Sequence, residues 1–130
     1  MRRLLLGTVL GAALLSPIAA SAFTAYADET LSVHAGPGAN FPALEELDTS
    51  TRVWLHGCSQ TLEWCDVSHG RMRGWVRGEH LAVPREKLAS GEIPVAKFDI
   101  RSYWNDNYRD EKFYGDMARW ADQRQVAERF

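Results

Sequence analysis

The sequence predicts a mainly β protein, a small barrel followed by a C-terminal, mostly helical extension. Three observations carry this. Residues 23–83 hold short alternating apolar runs separated by turn residues, the pattern of many short strands. After Pro84 that rhythm stops, and from about Asp110 apolar residues recur at helical spacing. Two cysteines, Cys58 and Cys65, flank a short turn between two β-like runs.

The chain opens with an export signal, residues 1–22. Arg2 and Arg3 precede an apolar run from Leu4 to about Leu15, Pro17 breaks it, and Ala20-Ser21-Ala22 forms an A-x-A cleavage site. The run is shorter than the roughly 20 residues that span a bilayer. A second cut after Ala27 would remove the first strand, so Ala22 is preferred. No later run is long enough for a membrane helix, and the mature protein is expected in the periplasm or outside the cell. The chain carries 15 basic and 17 acidic side chains, and two of the basic ones lie in the signal. The exported part is therefore net acidic, which argues against nucleic acid or an anionic membrane as a partner.

Strands are expected near Thr24–Tyr26, Leu31–His34, Ala43–Leu47, Arg52–Cys58, Trp64–Ser68, Arg73–Val76 and Leu81–Val83. Leu31, Val33, Val53, Leu55, Val67 and Val76 read as core. In "TRVWLHGC", Val53 and Leu55 take the inward phase and Trp54 and His56 the outward one. The hairpin that joins this run to "WCDVS" sets Cys58 opposite Cys65, and export predicts a disulfide. A zinc site from Cys58, Cys65 and His69 is the rival, but it lacks a close C-x2-C pair and a fourth ligand. Neither a metal nor a cofactor is expected.

"GPGANFP" raises the question of a phosphate cradle. It lacks the lysine and hydroxyl of a P-loop, and Phe41 stands where the dinucleotide fingerprint needs its third glycine. A type II turn is expected instead, with Pro37 at its second position and Gly38 at positive φ.

These residues carry a resemblance. "LSVHAGPGANFPALEEL" resembles the signature L-N-V-R-[SA]-G-P-G-x-N-[YF]-P-V-I of bacterial SH3-like (SH3b) domains. "EWCDVSHGRMRGWVRGEHL" resembles that family's W-x-x-V-x-x-x-G-x-x-G-W-V-x-x-x-Y-L, with Leu81 closing the domain. Ser32, His34 and His80 depart from the usual Asn, Arg and Tyr. The resemblance covers residues 23–83 and implies a small SH3-like barrel acting as a non-enzymatic, cell-envelope binding module for peptidoglycan or its stem peptides. The ending "SYWNDNYRDEKFYGDMARW" is similar to the Tyr/Trp-rich tails of some exported SH3-like proteins.

The residues agree that this is no enzyme. A disulfide would remove Cys65 as a nucleophile beside His69, and Glu45 and Glu46 fall on opposite faces of one strand. Binding then falls to aromatics. Trp54 on its outward phase and Phe41 just past the turn form the expected platform, with Trp64 leaving the hairpin loop as a third contact. Over residues 84–130, a polar linker leads into an extension rich in Tyr and Trp. Phe113, Met117 and Trp120 share one helical face there. That extension either packs on the barrel or docks a partner protein.

Overall fold

The computed structural model describes residues 22–121, together with Gly7 and Gly11. The export signal therefore lies outside the described residues, apart from those two glycines and Ala22. Seven strands occur where the alternation places them: β1 (Phe23–Ala27), β2 (Leu31–His34), β3 (Ala43–Leu47), β4 (Arg52–Cys58), β5 (Trp64–His69), β6 (Met72–Arg77) and β7 (Leu81–Ala82). They form one antiparallel sheet in the order β3-β2-β6-β5-β4-β1-β7. Among the described residues strand outweighs helix, 36% to 24%, so the structure is mainly β.

The sheet is not a closed barrel, and here the sequence expectation is corrected. β3 and β7 are its free edges, and no ladder joins them. The bond between β2 and β6 is also thin, a single residue pair, His34 with Trp75. Alternation along a strand records which face is buried, not which strand lies beside it, so closure was beyond its reach.

Every strand contributes to one apolar cluster. Ala25, Val33, Leu47, Val53, Leu55, Val67, Val76 and Leu81 are all buried in it, as the inward phase required. Cys58 and Cys65 are paired directly across β4 and β5, and a disulfide joins them. β4 carries a bulge between Leu55 and Gly57. A parallel bridge forms there with the linker, since Cys58 N–H donates to Pro94 O at 2.9 Å and Ala96 N–H to Cys58 O at 2.8 Å. A side chain at position 57 would meet Pro94 O at 2.8 Å, so the strap lies this close only because the residue is glycine.

The extension is helical in short pieces: α1 (Arg85–Ala89), α2 (Ile100–Asn107), a 3-10 turn at Lys112–Asp116 and α3 (Ala118–Ala121). A continuous helix from about Asp110 does not form. The longest segment instead starts ten residues earlier, where the Asp99 carboxylate accepts from the Arg101 and Ser102 amides and caps α2. Ile100, Trp104 and Tyr108 follow at four-residue spacing on one face. Phe113, Met117 and Trp120 pack against the same cluster from the tighter segments that follow.

The Gly-Pro-Gly turn also differs from expectation. Gly38 does not take a positive φ; among the described glycines, Gly70 and Gly91 do, at 58° and 66°. Gly38 N–H donates to Gly36 O at 2.9 Å across Pro37, a three-residue turn. The demanding position is Gly36, where an added Cβ would lie 2.5 Å from the Phe41 ring, against 3.3 Å at Gly38. Gly36→Ala is therefore expected to cost about 1–3 kcal/mol by overpacking, and Gly38→Ala much less. Thermal melts of the two variants check this, and a larger loss at Gly38 would refute it.

Candidate functional site

The two faces of the sheet have different fates. The inner one is the core. The outer one is shared between a part covered by the extension and a part left open.

Covering begins with Phe98, whose ring meets Trp75 and Phe41 edge-on at 5.6 and 5.5 Å. Next, the Tyr103 hydroxyl donates to Asp66 Oδ1 at 2.7 Å, and Arg73 grips the same carboxylate through two 2.7 Å bonds. Asp66 is almost fully buried, and this fork satisfies it. Burial, then the Asp66 charge, pushes the Tyr103 phenol far above its usual range, so it stays protonated and donates. The hydrogen bond to Asp66 raises the Arg73 guanidinium further above its normal value. Tyr108 donates to Arg73 O at 2.6 Å, and the Trp104 indole N–H to Ala35 O at 2.8 Å. Farther along, Trp120 Nε1 donates to Asn40 O at 2.9 Å.

The three aromatics expected to form a platform do not meet. Phe41 is 3% exposed, sealed under the Gly-Pro-Gly turn and Phe98. Trp64 is equally buried, with the Arg77 guanidinium 5.0 Å over its ring and the His34 ring edge-on at 5.7 Å. Only Trp54 is open, at 49%. Its neighbours are Thr24 on β1 and Ser68 on β5. Tyr26, one step along β1 opposite Arg52, is 46% exposed. Tyr26 was not singled out from the sequence, although small Ala25 and Ala27 on the inward phase mark it as outward-facing. The open face therefore pairs two aromatic rings with hydroxyl and guanidinium groups. His56 borders it, with Nε2 at 2.8 Å from Ser68 Oγ. Burial, then the charge of Arg73, lowers its pKa and favours the neutral ring.

Other groups suggested by the sequence fall elsewhere. The disulfide occupies both sulfurs of the conceivable Cys58–Cys65–His69 zinc set, and His69 Nδ1 lies 3.0 Å from Arg52 O. Among the described residues one set of metal-type donors converges, Asp28, Glu29 and His80, at an exposed corner. His80 Nδ1 lies 3.1 Å from Glu29 Oε1, the geometry of an ion pair. No described helix is long and apolar enough to cross a membrane. Compared with known proteins, the chain matches no family model, no curated sequence and no solved structure.

Proposed function

We propose that this protein is a non-enzymatic, exported SH3-like binding module that holds cell-wall peptidoglycan or its stem peptides against the open face around Trp54. The observation behind this reading is the exposure of Trp54 and Tyr26 on one face of the paired strands β4 and β1, while Trp104 and Tyr108 of the extension are consumed in packing. Trp104 and Tyr108, at 0% and 4% exposure, support the sheet and offer no surface to a partner protein. An indole half exposed to water, with a second exposed ring on the same open face, is a site awaiting a cover. A ring face also suits this ligand class, stacking on sugars or gripping apolar peptide side chains while Thr24, Ser68 and Arg52 supply hydrogen bonds.

Co-sedimentation with purified peptidoglycan sacculi tests the reading. Trp54→Ala is expected to weaken binding by about 1–3 kcal/mol, the scale of an aromatic anchor, and to leave the melting temperature unchanged because the indole supports nothing. Wild-type protein that stays in the supernatant, or a Trp54→Ala variant that binds sacculi as well as wild type, would refute it.

A further inference from the structure

The docked extension creates a second recess. A cavity of about 560 Å³ lies between β3, the start of β6 and the chain that follows α2. That is ample for a di- or tripeptide. Its walls combine apolar surface from Leu44, Met72 and Phe113 with charges of both signs. Arg71 and Lys112 supply the positive groups; Glu45, Asp110 and Glu111 supply the negative ones. All five are exposed, and none makes an ion pair among the described residues. Arg73 is different, since Asp66 already holds its charge.

Opposite charges that share a concave site without neutralising one another fit a ligand that carries both. We propose that this cleft binds a short zwitterionic peptide with free ends. Its carboxylate meets Arg71 or Lys112, its ammonium the acidic groups, and an apolar side chain lies on Met72 and Phe113. A single protein terminus would bring one charge and leave the other wall unanswered. The walls are fixed by the Tyr108–Arg73 and Tyr103–Asp66 bonds, so the site exists only with the extension docked. The inference concerns a different surface from Trp54 and stands or falls independently of it.

The test is a titration of the nitrogen-15-labelled protein with Ala-Leu-Ala, followed by amide shifts. The free-ended peptide should give saturable shifts at Met72 and Phe113, with a Kd of about 1 mM or tighter. Acetylating the amine or amidating the carboxylate should each weaken it at least about tenfold, as should Arg71→Glu or Glu111→Lys, whose exposed side chains leave the fold intact. Trp54→Ala should change nothing in this titration, whatever it does to sacculus binding. Absence of saturable shifts, shifts centred on Trp54, or a singly capped peptide that binds as well as the free one would overturn the proposal.

Discussion

Trp104→Ala is expected to detach the extension from the sheet, at a cost of about 3–5 kcal/mol, the range for deleting a fully buried indole. Trp104 has no exposed surface. Its ring meets Phe113 at 4.9 Å, Trp120 at 5.5 Å and Tyr108 at 6.2 Å, so its removal opens a cavity beside all three of these rings. It also strands the Ala35 carbonyl, which accepts the indole N–H across 69 positions of sequence. Because the seven-stranded core is a separate cluster, the strands should persist. Thermal melting should show the loss, and amide exchange should rise first around Phe41 and Trp75, which Phe98 covers. A variant that melts like wild type, with those amides still protected, would show that the extension does not rest on Trp104.

Removing the disulfide is expected to rank next. Closing a loop this short contributes about 2.5 kcal/mol in the chain-entropy treatment. For a domain of this size that corresponds to a fall of roughly 10–20 °C in melting temperature. Both sulfurs lie in the core, so a Cys58→Ala, Cys65→Ala variant also loses packing. The bond matters locally because β4 is bulged just before it, and the linker strap bonds to Cys58 on both sides. Melting with and without reductant measures the effect, and mass spectrometry of the unreduced protein should show the loss of two hydrogens. Labelling of both thiols without reductant would contradict the expectation.

Local features were legible in the sequence where period and pairing decide them. Strand alternation placed Val53 and Leu55 inside and Trp54 outside, and a hairpin placed Cys58 against Cys65. What escaped depends on partners distant in the chain. Phe41 follows a turn, where no period applies, and it is buried because Phe98 arrives 57 positions later. Trp64 shares the outward phase with Asp66 and Ser68, and is lost to solvent only because Arg77 and His34 close over it. The role of Gly36 follows from the Phe41 ring beside it, which a glycine count cannot reveal. The capped helix α2 was readable in hindsight from Asp99 followed by Ile100, Trp104 and Tyr108.

An open sheet also has a social consequence. Where a closed barrel has no rim, β3 presents unpaired backbone that another copy of the same chain could extend. Glu45 and Glu46 stand exposed in the middle of that strand. Two molecules approaching rim to rim would bring four carboxylates together before any backbone bond could form. The like charges thus act as a guard against polymerisation, holding two copies apart before either free edge can extend the other.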